Sequence, residues 1–360
     1  MNTAELCALA QQAGEPAYRG QQIARWLYHR GARTIGDMTD LPKPLRAKLE
    51  EQYQVGRSPV AARQRSRDGT VKLLLGLADE NGAGGQTVET VGLPYPRYLS
   101  CCVSTQVGCP VRCAFCATGM SGYTRNLTAG EIVDQVLTVQ ETAAESPAPI
   151  PGRNSIDRVS HVVFMGMGEP LMNYDATVKA VRLLNSEAGI GMRHLTVSTV
   201  GYVPGIRRLA QEGLQLTLAV SLHAPNDHLR QQLIPTMTRW SLDEILDACR
   251  AYFQRTGRRL TFEYCLLAGV NDGVPEAREL ARRLRGLNCH VNLIPYNPVG
   301  KLGFAAPSPL GVRAFREVLE RAGIVVTQRA QKGSDIDAAC GQLRRRVAAE
   351  KVEVGVTAVN

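Results

Sequence analysis

From about residue 96 onward, short apolar runs of strand length alternate with longer stretches whose apolar residues recur at helical spacing. The runs are VSHVVFMGMGE, HLTVSTVG, LQLTLAVSLHA, RLTFEYCLLAGV and HVNLIPYNP. Such alternation predicts βαβ units that build a parallel sheet or barrel. Residues 60–94 differ: VKLLLGL and QTVETVGLP are β-type runs separated by Asn81-Gly82-Ala83-Gly84-Gly85, which predicts a hairpin. Residues 1–55 read as helical, with Ile23, Trp26 and Leu27 near helical spacing and a break at Leu41-Pro42-Lys43-Pro44. There is no fixed-period repeat. The segment from Glu145 to Gly152, ESPAPIPG, reads as a surface insertion. The chain therefore divides into a helical accessory unit (1–55), a β-hairpin linker (56–95), an α/β core (96–345) and a tail (346–360).

Several of the apolar runs end in polar residues: Gly168-Glu169, Ser198-Thr199, Ser221-Leu222-His223 and Asn297. In a βα barrel the C-terminal strand ends carry the site, so these residues should converge on one pocket. Taken singly, each also suits a turn or a cap. His223 has the alternative of a satisfied core histidine, and Asn297, before Pro298, that of a turn residue.

The segment GCPVRCAFCA sets Cys109, Cys113 and Cys116 apart by three and then two residues, compact enough for one loop to wrap a metal centre. Structural zinc normally takes a fourth ligand, and no second C-x-x-C or H-x-x-x-H is present. Three thiolates instead suit a [4Fe–4S] cluster whose fourth iron stays open to a small-molecule ligand. Thr128 and Glu131 then form a capping box that opens the helix EIVDQVLTVQET.

Composition adds three constraints. No run of about 18 uncharged apolar residues occurs, and the N-terminus lacks the pattern of a secretory signal, so the expected location is cytoplasmic and not in a membrane. In a reducing compartment, ten cysteines favour metal ligands or transient redox pairs over a disulfide framework. The formal charge of +9 suits a polyanionic partner such as RNA, although a basic surface without a partner is the plain alternative. Arg19, Arg25, Arg30, Arg33, Lys43, Arg46 and Lys48 make the accessory unit basic and suit RNA contact, or simply a solvated helical cap.

The cysteine loop resembles that of the radical S-adenosylmethionine superfamily, and Met167-Gly168-Glu169-Pro170 resembles its GGEP-type segment. The resemblance implies a full or partial βα barrel, here a partial (β/α)6 TIM-like barrel. It also implies one [4Fe–4S] cluster on Cys109, Cys113 and Cys116, whose open iron chelates the amino and carboxylate groups of S-adenosylmethionine. From about Ala17 to Arg344, CVSTQVGCPVRCAFCATGMSGYTRNLTAGEIVDQV, VVFMGMGEPLMNYD, LTVSTVG, VSLHAPND, LIPYNP and DIDAACGQLR together resemble the dual-specificity adenine-C2 RNA methyltransferases. A sister group that methylates adenine C8 shares much of this pattern.

This closer resemblance implies a methyltransferase acting on 23S ribosomal RNA and on certain transfer RNAs. Two S-adenosylmethionine molecules serve each turnover, one as methyl donor and one as radical source. Position by position, Cys340 falls on the methyl-carrying cysteine, Cys102 on the thiol that resolves a protein–RNA adduct through a transient disulfide, and Glu89 on the proton acceptor. Without the resemblance Glu89 reads as a strand-surface carboxylate. Gly168, Glu169, Ser198, Ser221, Leu222, His223 and Asn297 fall on S-adenosylmethionine contacts. An electron donor such as flavodoxin or ferredoxin is implied, and the chain is expected to work as a monomer.

Cys7, Cys249, Cys265 and Cys289 match no motif and read as buried small hydrophobes. Cys101, beside Cys102, should face the opposite way on an extended strand. Two other readings compete: a radical enzyme with a small-molecule substrate, which leaves Cys340 without a role, and a zinc-stapled RNA-binding module, which leaves GMGEP and SLH without one.

Overall fold

The computed structural model describes residues 1–77, 85–145, 158–237, 239–298 and 302–336. Three helices open the chain: α1 (Thr3–Gln12), α2 (Tyr18–Tyr28) and α3 (Lys43–Glu50). The proline pair that reads as a break in sequence instead starts α3. Pro42 is its N-cap and Pro44 lies in its first turn, where a missing N–H costs no helical hydrogen bond. Leu45 and Leu49 then face the interior, each under 5% exposed. The unit docks on the core through Lys179 Nζ to Glu5 at 3.0 Å and Arg33 to Glu141 at 2.6 Å.

A meander of four antiparallel strands follows: β1 (Val60–Arg65), β2 (Val71–Leu77), β3 (Gln86–Tyr95) and β4 (Tyr98–Cys102). The short pair β5 (Gln106–Gly108) and β6 (Tyr123–Asn126) brackets α4 (Ala117–Met120), and α5 (Ala129–Glu145) leads away from it. Strand and helix then alternate as the apolar pattern predicts: β7 (Val159–Phe164), α6 (Tyr174–Ser186), β8 (Leu195–Thr199), α7 (Val203–Gln211), β9 (Thr217–Ser221), α8 (Asp227–Leu233), α9 (Leu242–Thr256), β10 (Leu260–Leu266), α10 (Val274–Arg283), β11 (Cys289–Pro295), α11 (Pro309–Arg321) and β12 (Val325–Gln328).

All the strands except β5 and β6 form one sheet, in the order β1-β2-β3-β4-β7-β8-β9-β10-β11-β12. Every pairing from β4 to β12 is parallel. Six of these strands, β4 and β7 to β11, make the expected partial barrel. The four-residue β12 adds a seventh parallel strand at one edge. The hairpin region thus extends the barrel's own sheet. β1 escapes sequence reading because VAARQR is polar and largely solvent-facing, whereas β9 and β10 are apolar on both faces, as strands sandwiched in a parallel sheet are.

The opening of α5 follows its sequence. Glu131 N–H donates to Thr128 Oγ1 at 3.2 Å, and Thr128 N–H donates to Glu131 Oε2 at 2.8 Å. Ile132, Val133, Val136 and Val139 are buried. Asp134 on the same helix is also buried, and Arg57 reaches it at 2.5 Å and Glu141 at 2.8 Å, fastening the chain ahead of β1 to α5. Among the described residues no helix is long and apolar enough to cross a membrane. The turn Asn81–Gly84, most of the expected surface insertion and the C-terminal tail lie outside the described residues.

Candidate active site

The C-terminal ends of the parallel strands surround a cavity of about 380 Å³. Gly168 and Glu169 follow β7 into its wall, Ser198 enters from β8, Ser221 and His223 from β9, and Asn297 from beyond β11. Cys102, at the end of β4, and Cys109, Cys113 and Cys116 complete the wall. One space therefore gathers most of the residues singled out in sequence. Leu222 departs from the set: its side chain is 1% exposed, packed in the core and away from the wall. Its neighbours face the cavity because β9 alternates. Cys340 lies outside the described residues.

The cysteine loop hangs between β5 and α4, and its path is set by backbone contacts. Gly108 has φ +76°, and a Cβ there would lie 1.8 Å from the carbonyl oxygen of Gly122, so only glycine fits. Cys109 N–H donates to that same carbonyl at 2.8 Å. Farther along, Ala114 N–H donates to Leu233 O at 2.9 Å, and the Thr236 hydroxyl donates to Val111 O, so α8 and the turn after it brace the loop. Arg112 holds a left-handed backbone at φ 53°. Burial pushes the Cys109 thiol up to about 12 and Cys113 well above its ordinary value, each raised further by the neighbouring Cys116. Ligation must therefore displace protons from these thiols.

Glu169 is buried and anchors rather than floats. Its carboxylate accepts from Leu171 N–H at 3.1 Å and from Val200 N–H at 2.8 Å, which ties the end of β7 to the end of β8. Its own N–H donates to Gln106 Oε1 at 2.8 Å. Burial pushes the carboxyl up to about 7, against the opposing pull of those backbone donors. Gly168, with φ +106°, brings the backbone against Gln106, where a Cβ would stand 2.7 Å from the glutamine Cβ.

His223 is a buried, hydrogen-bonded histidine that also lines the cavity. Its Nδ1 accepts from Cys265 N–H at 2.9 Å, which leaves the proton of the neutral ring on Nε2. Burial pushes the imidazole down to about 3, helped by the charge of Arg230. Its backbone is left-handed at φ 58°, a strained setting for a non-glycine residue. Asn271 steadies it: the buried amide donates to His223 O at 2.8 Å and to Cys265 O at 2.7 Å, and its Oδ1 accepts from Leu267 N–H at 2.7 Å. Sequence reading missed Asn271, because Asn-Asp-Gly reads as an ordinary turn. Asn297 accepts from Gln331 Nε2 at 2.8 Å, so its side chain engages a partner beyond its own turn.

Cys102 lies opposite Val91 on β3 and faces the cavity, while Cys101 lies opposite Gly92 and faces the core. Burial pushes Cys102 up to about 11, with Arg329 pulling the other way. Glu89, two residues before Val91, is 4% exposed and stands 3.6 Å from the Nζ of the fully buried Lys72. A strand-surface carboxylate it is not. Of the unassigned cysteines, Cys249, Cys265 and Cys289 are buried, Cys7 is only half-buried, and Cys265 lines the cavity.

The residues fit an iron–sulfur cluster. Three thiols of one loop share a cavity wall with the Thr118 hydroxyl, a buried donor that has no acceptor among the described residues. Such a donor suits an anionic, sulfur-rich centre. A parallel partial barrel with this loop at its mouth defines the class: a radical S-adenosylmethionine enzyme.

Comparison with known proteins agrees and narrows the class. Residues 149–281 match the Radical SAM superfamily, and residues 1–55 match the ribosomal RNA large subunit methyltransferase N-terminal domain. The chain is 52% identical to the "Probable dual-specificity RNA methyltransferase RlmN" of Thermosynechococcus vestitus, over 96% of this chain and 97% of that one. It is 54% identical to the protein of the same description from Gloeobacter violaceus, over 95% and 93%. A crystal structure of a radical SAM methyltransferase from Sphaerobacter thermophilus superposes with a TM-score of 0.87 at 47% identity, covering 95% of this chain and 97% of that one. The chain belongs to the RlmN family of dual-specificity RNA methyltransferases. With that membership come a [4Fe–4S] cluster and S-adenosylmethionine.

Proposed function

We propose that this chain methylates C2 of one adenosine in 23S ribosomal RNA and of the adenosine next to the anticodon in certain transfer RNAs. The observation that carries this reading is the sharing of one cavity by Cys102 and the three loop cysteines. A radical enzyme without a cysteine-borne intermediate has no use for the Cys102 thiol there, whereas Cys265, also on the wall, takes no part in either reading. The names of the relatives favour this family over its C8 sister group.

Adenine C2 is an electron-poor sp² carbon and cannot displace a sulfonium methyl by polar attack. When bound, the cluster supplies the electron that cleaves S-adenosylmethionine and opens a radical route. Cys109, Cys113 and Cys116 hold it. Gly168, Glu169, Ser198, Ser221, His223, Asn297 and the backbone of Leu222 bind S-adenosylmethionine. The Glu169 carboxylate suits the methionine ammonium, and the neutral His223 offers an Nε2–H donor.

Cys340 carries the methyl group and presents it for hydrogen abstraction, after which the carbon adds to adenine. Glu89 accepts the proton that leaves C2, and Cys102 resolves the adduct by a transient disulfide with Cys340. Asp335 supports delivery of Cys340. It accepts from Arg67 N–H at 3.0 Å, while Gly333 N–H donates to Asp68 at 3.0 Å, fastening the approach to Cys340 against the turn before β2. Cys340 lies four positions beyond Ile336, a reach of at most roughly 14 Å. An acidic one-electron protein such as flavodoxin or ferredoxin is the proposed donor, and exposed Arg25 and Lys43 on the accessory unit suit phosphate contact.

The test uses S-adenosylmethionine with a labelled methyl group and no RNA. The label should appear on Cys340 of the reconstituted enzyme, and Cys340→Ala should hold iron but neither carry label nor methylate RNA. Full methylation by that variant rejects the carrier role.

A further inference from the structure

Arg230 on α8 is a buried cation for which the site so far has no use. It is 3% exposed, its guanidinium donates to the Val200 carbonyl, and its Nε–H has no acceptor. Among the described residues it forms no ion pair. Asp227, one turn earlier, supplies only distant attraction, and its carboxylate accepts instead from Leu242 N–H at 2.7 Å. A guanidinium withdrawn from water without an anion is strongly disfavoured, so its retention points to an anion that binds beside it.

The place of that anion follows from the packing. Leu233, the last residue of α8, accepts from Ala114 N–H at 2.9 Å, which fixes the helix to the cysteine loop beside Cys113. Cys113 is on the cavity wall and Arg230 is not, so the guanidinium acts from behind the loop, away from S-adenosylmethionine and RNA.

We propose that Arg230 is a positioning residue for the iron–sulfur cluster, its buried positive charge raising the cluster's reduction potential so that one electron from an external one-electron donor is accepted more readily. Reduction adds one negative charge to a centre already anionic through three thiolates, and a fixed cation beside it offsets that charge. Val200 links the guanidinium to the neighbouring carboxylate: its carbonyl accepts from Arg230 while its N–H donates to Glu169 at 2.8 Å. The proposal rests on the cluster alone and holds whichever RNA position is methylated.

The test is a redox titration of the reconstituted full-length protein without S-adenosylmethionine, followed by visible absorbance and by electron paramagnetic resonance, with iron counted on each sample. In Arg230→Met the ratio of reduced to oxidised cluster at a fixed potential should fall on the order of tenfold, a midpoint about 59 mV more negative. Arg230→Lys should restore most of it. An unchanged midpoint in an iron-replete Arg230→Met, or a shift that appears only once S-adenosylmethionine is added, overturns the proposal. Should Arg230→Met lose its iron, Arg230→Lys decides: a midpoint near the wild type supports the role of charge, and a tenfold shift overturns it.

Discussion

Cys101 and Cys102 are adjacent on β4, yet their thiols face opposite sides of the sheet: Cys102 opens into the cavity, and Cys101 sits in the core with its Sγ 3.5 Å from Thr90 Oγ1. On the proposed mechanism Cys102 is the chemical thiol and Cys101 a packing one. Cys102→Ala should accumulate a covalent protein–RNA adduct during turnover, visible as a shifted band on a denaturing gel. Cys101→Ala should release RNA normally and lose about 1 kcal/mol of stability. Adduct from both variants, or from neither, contradicts the assignment.

The same geometry sets a pH dependence. Cys102 is pushed up to about 11 by burial, so its reactive thiolate is scarce at neutral pH and rises about tenfold per unit below that value. Decay of the isolated adduct should accelerate steeply from pH 7 to 9. A flat profile means that exchange by Cys102 does not limit resolution.

Gly108→Ala tests the loop separately from the thiols. A Cβ 1.8 Å from the Gly122 carbonyl cannot be accommodated while Cys109 N–H bonds to that same oxygen. The variant should keep its circular dichroism spectrum and lose most of its bound iron, because the clash is confined to the β5–β6 turn. Wild-type iron content would show that the loop has another path.

His223 carries a stability prediction. Its folded value near 3 lies below the ordinary value near 6.5, so between those two the unfolded chain binds a proton that the folded protein does not. Stability is fully present above about 6.5 and falls as pH drops toward 3, by up to about 1.4 kcal/mol per unit. In His223→Gln the loss between pH 7 and 5, measured by urea unfolding, should shrink by about 2 kcal/mol. Equal losses in the two proteins would place the buried proton site elsewhere.

The parallel core was legible because β8 to β10 are buried along most of their length and β7 and β11 in part, which leaves apolar runs of strand length, and the cavity residues because polar groups follow those runs directly. β1 was not, since only its pairing with β2 makes a strand of VAARQR. Pro42 and Pro44 look like a stop until the following residues show that they occupy a helix start. Glu89 gives no local sign of burial, because Lys72, which neutralises it, is distant in sequence and joins it only across the β2–β3 ladder. Asn271 and Arg230 were missed for a related reason. Each acts on backbone or charge brought together by the fold, and neither belongs to a spaced motif.

The central claim is that Cys102 and the three loop cysteines, which share one cavity, act with Cys340 to methylate an adenine ring carbon. Mass spectrometry of the adenosines in 23S ribosomal RNA and transfer RNA, treated with reconstituted enzyme, a one-electron reductant and S-adenosylmethionine, tests it most directly. The account predicts 2-methyladenosine in both RNAs. The appearance of 8-methyladenosine instead, or of no methylated adenosine while S-adenosylmethionine is still cleaved, would contradict it.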